Sequence, residues 1–404
     1  MTTFIAQHNP LKCLRCGWCA EIVACPGSAK DICIGCGACV LACPNEALEL
    51  IEEPRQREIT IEIDGSRVQV PEKISVKEAL RKIGYTVSAI PAENALFTPC
   101  GVGACSSCAM EVNGKIQPTC VTAIEEGMTI KTQLPHEYTP RILVVDFMGH
   151  PVGGVGTPWQ ARREKSVFVE AVCLAAGCNL RCPQCYNWTH TYAGVGKKLT
   201  PRQAAEKLSK EKNRLNLNRM LISGGECTLN RSWLIQFIKE LKKLNKDKDN
   251  HFHIQTNGSL ITHDYIDELV DAGMTNIGID LKGIEIDTFM KITGLKDRAL
   301  SEQYKKTAWE AVQYIVNNYK DKVFVGVGIP YNNELISREE VRRMGKILKE
   351  IDSSIQVGVL HYMPDFRSRI ATPEDYEMED IRKLLKETGL QTVLAWTNSG
   401  EIGP

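Results

Sequence analysis

The sequence predicts an α/β protein, a sheet built from repeated strand and helix units with two small cysteine-bearing segments ahead of it. Three observations carry this. From residue 166 onward, short apolar runs alternate with amphipathic stretches in six successive units, the pattern of a parallel sheet with right-handed crossovers. Between residues 55 and 134 the pattern changes to short alternating strands that turn at Asp64-Gly65 and Asn113-Gly114, as hairpins do. Of 17 cysteines, all but Cys173 and Cys227 fall into four spaced patterns.

Composition sets the outer bounds. A chain of 404 residues is too long for one small core, so about two to four domains are expected. Hydrophobic content of 43% and charged content of 24% are ordinary for a soluble globular protein. The formal net charge is zero, so bulk electrostatics imply no nucleic-acid partner and no anionic membrane surface. There is no run of about eighteen apolar residues, and Met1–Pro10 lacks the basic and apolar regions of a signal peptide. A cytoplasmic protein is expected. In a reducing compartment, cysteines at C-x2-C spacing are metal ligands and not disulfides.

Residues 1–54 hold two cluster runs. Cys33-x2-Cys36-x2-Cys39-x3-Cys43-Pro44 is the bacterial ferredoxin pattern, and Cys13-x2-Cys16-x2-Cys19-x5-Cys25-Pro26 is the same with two extra residues. In such folds the fourth cysteine of each run ligates the other cluster. The expected sets are therefore Cys13, Cys16, Cys19 and Cys43 for one 4Fe–4S cluster, and Cys33, Cys36, Cys39 and Cys25 for the second. Gly17, Gly35 and Gly37 suit a backbone that wraps closely and aims N–H groups at sulfur. So short a segment cannot build a core without its clusters, which makes cluster binding and folding one event.

Residues 55–134 form the second module. Glu58–Ile63 alternates Ile with polar residues and Arg67–Val70 answers it. Ser75–Ile83 is a short helix capped by Ser75 and stopped by Gly84, and a second hairpin spans Ala109–Gln117. Cys100-x4-Cys105-x2-Cys108, followed by Cys120, is the plant-type 2Fe–2S spacing. The order of hairpin, helix and cysteine loop resembles the β-grasp ferredoxin domain, and Cys105–Lys115 is similar to the iron–sulfur subunits of succinate dehydrogenases. Residues 135–165, with Pro135, Pro140, Pro151, Pro158 and several glycines, are expected to be a linker crossing the surface. Its apolar run Ile142–Val145 is the part that can pack as a strand or anchor.

In residues 166–404 the expected strands are Val167–Leu174, Arg219–Ile222, Phe252–Gln255, Asn276–Asp280, Lys322–Ile329, Ile355–Leu360 and Gln391–Leu394. Between them fall helices at Pro201–Lys212, Trp233–Leu244, His263–Ala272, Glu302–Asn318, Ser337–Glu350 and Pro373–Glu387. After the first strand and a turn at Gly177 come Cys178, Cys182 and Cys185. Three thiolates in one tight loop hold three corners of an iron–sulfur cube and leave the fourth iron open, and an open position separates a catalytic site from a sealed one. A zinc or redox-thiol set is the alternative, but no fourth Cys or His lies at zinc-like spacing, His190 being the nearest.

The C-x3-C-x2-C loop resembles the signature of the radical S-adenosylmethionine (radical SAM) superfamily. The resemblance implies a partial (β/α)6 barrel with its chemistry at the carboxyl ends of the strands. It also implies that the open iron chelates SAM, and that an electron from the cluster breaks the sulfonium to give a 5′-deoxyadenosyl radical. Ser223-Gly224-Gly225-Glu226 resembles the Gly-Gly-Glu motif that grips the SAM amino group, with Cys227 where a proline is usual. Thr256-Asn257-Gly258 and Asp280-Leu281-Lys282 end the third and fourth strands, where a turn and a solvated ion pair are the plainer alternatives. Asp280-x-Lys282 is similar to the Asp-x-Lys motif of glycyl-radical-enzyme activases, in which both side chains contact SAM. His361-Tyr362-Met363-Pro364-Asp365-Phe366 resembles a His-rich strand-end segment of activase-like proteins, including those of the AmmeMemoRadiSam system. Gln184 stands where the family often has an aromatic, and Tyr186 is the candidate to stack on adenine. The implied cofactor-binding residues are Gly224, Gly225, Glu226, Asn257, Asp280, Lys282, Tyr186 and His361. Cys173 and Cys227 are expected to be buried small hydrophobes.

The expected cofactors are SAM, three 4Fe–4S clusters of which one has an open iron, and one 2Fe–2S cluster. The expected function is reductive cleavage of SAM for hydrogen abstraction, with electrons passing from an external low-potential donor through the N-terminal clusters. An activase barrel needs a wide mouth for a backbone loop of another protein. The chain ends near Pro404 without a further cysteine-rich domain, so the implied substrate is a glycine of a partner protein. Radical modification of a peptide or small molecule is the alternative within the family. A non-catalytic multi-cluster electron-transfer subunit is the alternative outside it.

Overall fold

The structure, a computed structural model, describes residues 3–23, 25, 33–54, 57–163 and 167–404. It divides into two compact units, one of Met1–Val145, Ala175–Asn179 and Asn187–Thr200, the other of Asp146–Leu174, Leu180–Tyr186 and Pro201–Pro404. Each is assembled from segments distant in sequence.

The first unit begins with a small two-stranded ribbon in which Phe4–His8 pairs antiparallel with Leu48–Glu52. Two short helices, Trp18–Glu21 and Ala38–Ala42, each start from a left-handed glycine, Gly17 at φ 76° and Gly37 at φ 78°. That conformation carries little penalty only without a Cβ. Next comes a five-stranded sheet in the order Ser66–Pro71, Glu58–Ile63, Thr129–Lys131, Ala109–Val112, Lys115–Pro118. Ile59, Ile61 and Ile63 bury one face of the second of these strands, the period-two pattern of a strand with one dry side. Both hairpins turn at the expected dipeptides, and all four turn residues have positive φ. The helix Val76–Lys82 is capped by Ser75 Oγ, which accepts from the Glu78 N–H at 3.2 Å. Ile142 and Leu143 pair antiparallel with Leu199 and Lys198, so the apolar run of the expected linker does pack as a strand.

In the second unit the strands Glu170–Ala175, Arg219–Gly224, His251–Thr256, Asn276–Asp280, Phe324–Tyr331, Gln356–His361 and Thr392–Thr397 are successive neighbours. The pairings from the second strand to the seventh are parallel, and Gly400–Ile402 folds back antiparallel on the last. Helices fill each connection, as the six-unit alternation predicts. The fourth connection carries a short helix, Ile286–Thr293, ahead of the long Arg298–Tyr319. Its single two-turn apolar stripe is too brief to stand out from the loop in the sequence.

One expectation is corrected here. The later part of residues 135–165 does not cross the surface, because Gly153, Val155, Gly156 and Thr157 are buried. They lie across the face of the sheet to which His253, Gln255, Gly278 and Gly326 belong. Their backbone groups are met by strand amides: the Val155 N–H donates to Gln255 Oε1 at 2.9 Å, Asn276 Nδ2 donates to the Gly156 carbonyl at 3.0 Å, and Gln356 Nε2 donates to the carbonyls of Val155 and Thr157 at 3.1 and 2.8 Å. Buried backbone needs such partners, and glycine marks close approach of two chains as readily as it marks a surface turn.

Candidate functional site

The strand ends of the second unit carry the polar groups. Gly224 closes the second strand at φ 108°, a conformation L side chains rarely adopt, and it delivers Glu226 inward, 2% exposed. Glu226 Oε1 accepts from the Thr228 N–H at 3.0 Å, the Thr228 hydroxyl at 2.6 Å and the Thr256 hydroxyl at 2.7 Å, and Oε2 accepts from the Asn257 N–H at 2.7 Å. A carboxylate offers about four acceptor directions, two per oxygen. Oε1 is saturated and Oε2 retains capacity for one more donor. Burial pushes the Glu226 pKa up, and these hydrogen bonds pull against it without cancelling it. A buried carboxylate with one open acceptor direction suits a cationic donor. The side chain of Asn257 accepts from Ser259 N–H and hydroxyl, so it is the Asn257 backbone that reaches Glu226.

The fourth strand ends at Asp280, followed by Lys282, only 6% exposed. Lys282 Nζ donates to Asp280 Oδ2 at 3.3 Å and to the Tyr362 hydroxyl at 2.7 Å. Burial opposes the ammonium, but Asp280, Tyr362 and Cys182 outweigh it and raise the pKa well above the usual lysine value. Gln255 holds the other side of Asp280, donating through Nε2 to Oδ1 at 2.9 Å while its Oε1 takes the Val155 N–H. The loop after Lys282 is fixed by buried Glu340, which accepts from the N–H groups of Ile284 and Glu285 at 2.9 Å each. His361 ends the sixth strand half-buried, and its Nδ1 is buried with no hydrogen-bond partner among the described residues. It is the adjacent Tyr362 that reaches Lys282.

The cysteine loop is anchored segment by segment. In the second unit, the Arg181 N–H donates to Thr293 O at 2.8 Å, the N–H groups of Arg367 and Ser368 donate to Pro183 O at 2.9 Å, and buried Gln184 donates through Nε2 to Ile292 O at 2.7 Å. Gln184, standing where the resemblance led one to look for an aromatic, is thus a clamp between the loop and the end of the short helix. Burial pushes the Cys182 thiol up and the Lys282 charge works the other way. Tyr186 is 78% exposed. In the first unit, Gly177, at φ 90°, donates its N–H to Thr191 O at 2.9 Å and leads into half-buried Cys178.

The other cysteines also gather in sets. Cys100, Cys105, Cys108 and Cys120 are all buried, with 3.3 Å between the sulfurs of Cys100 and Cys105 and with Cys120 hydrogen-bonded to both Cys100 and Cys108. Four convergent buried sulfurs fit a 2Fe–2S cluster, which requires four thiolates. In the ferredoxin segment the thiols near Cys19 are those of Cys43, Cys16 and Cys13, those near Cys36 are Cys25 and Cys33, and those near Cys39 are Cys36, Cys25, Cys33 and Cys19. Cys19 and Cys36 thus have neighbours drawn from the two expected sets, while Cys39 lies near members of both. Backbone N–H groups point at sulfur here too, from Ala6 to Cys33 at 3.2 Å and from Ala47 to Cys43 at 3.3 Å. No group of three or more His, Cys, Asp or Glu among the described residues is arranged for a single metal ion. Cys173 and Cys227 are buried, the latter donating to Gln255 O at 3.3 Å.

Residues 172–344 match the Radical SAM superfamily, residues 56–135 a 2Fe–2S iron–sulfur cluster binding domain, and residues 28–49 a 4Fe–4S binding domain. The chain carries a radical SAM domain. It is 26% identical over 181 residues, 45% of its length and 58% of the relative's, to a protein named as a probable GTP 3′,8-cyclase of Methanococcus aeolicus. It is 24% identical over 225 residues, 54% of its length and 85% of the relative's, to a protein named as a glycyl-radical enzyme activating enzyme of Methanocaldococcus jannaschii. The chain spans only 58% and 66% of the length of the cyclases from M. aeolicus and Saccharolobus solfataricus. Among solved structures, a radical SAM methyltransferase from Sphaerobacter thermophilus aligns over 57% of this chain and 67% of that one, with TM-score 0.43 and 14% identity. No helix of the described residues is long and apolar enough to cross a membrane.

Thr228 and Gln255, which hydrogen-bond to Glu226 and Asp280, carry no signal of it in the sequence. Thr256, Tyr362 and Gln184 stand in or beside the motifs, but their partners Glu226, Lys282 and Ile292 cannot be read from the spacing.

Proposed function

We propose that the chain reductively cleaves SAM and uses the resulting radical to abstract hydrogen from a glycine of a partner protein, with electrons supplied by an external low-potential donor through its own clusters. With a cluster on Cys178, Cys182 and Cys185 and SAM bound, one-electron reduction of the sulfonium yields methionine and the 5′-deoxyadenosyl radical. The observation that carries the reading is the buried Glu226 carboxylate, saturated on one oxygen and open on the other, beside the strand ends that bear Asp280 and Lys282. Glu226 takes a hydrogen bond from the SAM ammonium at Oε2. Lys282, kept protonated by Asp280 and Tyr362, offers its remaining donor capacity to acceptor groups of SAM. Gly224 and Gly225 let the backbone approach, and His361 and exposed Tyr186 are left for substrate or adenine. A pure electron carrier has no use for such a clasp.

The protein substrate is supported by the Asp280-x-Lys282 resemblance and by the likeness that spans 85% of a relative named as an activating enzyme. The second reading, modification of a peptide or small molecule, is favoured by the likeness to proteins named as GTP 3′,8-cyclases. The test is incubation of the reduced enzyme and SAM with a glycyl-radical-type partner, followed by EPR. A doublet glycyl signal rising in step with 5′-deoxyadenosine is the expected result. Deoxyadenosine formed in step with a modified metabolite, with no partner radical, overturns the protein substrate, and a fully reduced enzyme that never cleaves SAM overturns the radical reading itself.

A further inference from the structure

We infer that the plant-type cysteine set is the immediate electron donor to the open-site loop, and that Gly177, beside Cys100, is the point of transfer. The inference rests on the reading that Cys178, Cys182 and Cys185 hold a cluster, and it fixes an order that the cysteine spacings leave open.

The geometry lies within the first unit. A Cβ at Gly177 would sit 2.9 Å from Cys100 Cβ and 3.6 Å from both Cys100 Sγ and Ala104 Cβ. The Gly177 backbone therefore lies in direct contact with a ligand of the 2Fe–2S set, one residue before Cys178. Glycine is required there twice over, by the contact and by the positive φ. A second connection runs alongside. The Leu143 N–H donates to Ala104 O at 3.0 Å, and the Ala176 N–H donates to Leu143 O at 2.9 Å. Ala104 precedes Cys105 and Ala176 precedes Gly177, so a continuous hydrogen-bonded path joins the two cysteine loops. Lys198 Nζ donates to Ser106 Oγ at 2.9 Å and holds the 2Fe–2S loop from the other side. Three contacts converge on the loop Cys100–Ser106.

The burial pattern gives the direction. Cys100, Cys105, Cys108 and Cys120 are each at most 3% exposed, so an external donor protein cannot touch this set. Cys16, by contrast, is exposed, and its neighbours Leu11 and Leu14 are 96% and 75% exposed. Electrons enter at the ferredoxin segment and leave through the buried set. A rival exit exists, since Trp18, next to Cys19, packs on Trp188 with ring centroids 4.8 Å apart. That route still has to pass Asn187 and Tyr186 to reach Cys185, whereas Cys100 touches the residue adjoining Cys178. In the transfer one electron leaves the reduced 2Fe–2S cluster and one arrives at the open-site cluster, with the external donor, or dithionite in vitro, replacing it.

The test is EPR of the fully reconstituted chain. The microwave-power saturation of the reduced 2Fe–2S signal is compared with and without reduction of the open-site cluster, which SAM addition identifies by shifting its spectrum. Faster relaxation of the 2Fe–2S signal is expected when the open-site cluster is paramagnetic, and a Cys178→Ala, Cys182→Ala, Cys185→Ala variant should lose that increment. In Gly177→Ala, rapid-freeze sampling after SAM addition should show oxidation of the 2Fe–2S signal slowed several-fold, while Trp188→Leu leaves it unchanged. If Gly177→Ala does not assemble, the wild-type relaxation measurement still decides. Unchanged relaxation, or slowing in Trp188→Leu alone, overturns the order of transfer while leaving the open-site reading intact. No SAM-responsive signal at all overturns both.

Discussion

The surroundings of Glu226 suit the cation-binding role that we propose for it. Four donors converge on a carboxylate that is 2% exposed, which settles its rotamer, and burial raises its pKa despite them. The residual capacity on Oε2 is where a charge-assisted bond is strongest, because the surroundings are dry. Glu226→Gln keeps the size, removes the charge and presents an amide to donors that need an acceptor. SAM binding should weaken by about 1.5–3 kcal/mol, the range for a hydrogen bond to a charged group, or roughly tenfold to a hundredfold. The pH dependence has a definite sign. Only the ionised acid pairs with an ammonium, and its raised pKa means protonation begins at a higher pH than for an ordinary glutamate. Wild-type affinity should therefore fall on acidification while the Gln variant stays flat over the same interval. Equal slopes for the two in equilibrium dialysis of SAM would remove Glu226 from the binding site.

At the scale of elements, the largely buried Gly153–Thr157 segment is what the sequence concealed. A run rich in Gly and Pro predicts irregular backbone but not where that backbone goes, and water or a sheet face can serve its polar groups equally well. The complementary signal sits in the strands. A Cβ at Gly326 would lie 2.1 Å from Val155 O, and one at Gly278 would lie 2.7 Å from Gly156 N. Mid-strand glycines mark close backbone approach, yet nothing in their spacing says which segment approaches. The strands, most of the helices and both hairpins were legible because periodicity and turn chemistry are local. The gathering of Cys100, Cys105, Cys108 and Cys120 follows a local spacing in the same way. Tyr362 and Gln255 were not legible, because their roles depend on which strand ends lie side by side. The segment's importance is testable through Gly156, where a Cβ would meet Ile277 C at 2.4 Å and His253 Nε2 at 2.5 Å. Overpacking a dry site costs about 1–3 kcal/mol and occasionally more. Gly156→Ala should lower the denaturant midpoint accordingly and also weaken SAM binding, since Val155 and Asp280 share Gln255. A destabilised variant with unaltered SAM affinity would show that the segment supports the fold and not the site.

At the scale of the whole molecule, we propose that the cofactor sites can be removed separately. The ferredoxin segment and the β-grasp sheet have their own elements and their own sulfur sets, and each sulfur set is local enough to survive the loss of another. If the chain holds the three 4Fe–4S clusters and one 2Fe–2S cluster that we propose, anaerobic reconstitution should give roughly fourteen iron atoms per chain. Because metal binding and folding are coupled in segments too small to hold a core, stripping iron should unfold the ferredoxin segment first. The barrel, with fully buried Ile277, Ile279, Val327 and Val357, should persist, as circular dichroism can follow. Replacing Cys178, Cys182 and Cys185 together by alanine should leave roughly ten iron atoms, preserve the 2Fe–2S spectrum and abolish 5′-deoxyadenosine formation. The Cys100→Ala, Cys105→Ala variant should make the opposite cut, losing the 2Fe–2S signature and little else of the iron. Iron near four per chain in the wild type would contradict the N-terminal assignments. A triple variant that lost all its iron would mean that the clusters assemble as one cooperative unit, and the separability argued from their sulfur sets would then fail.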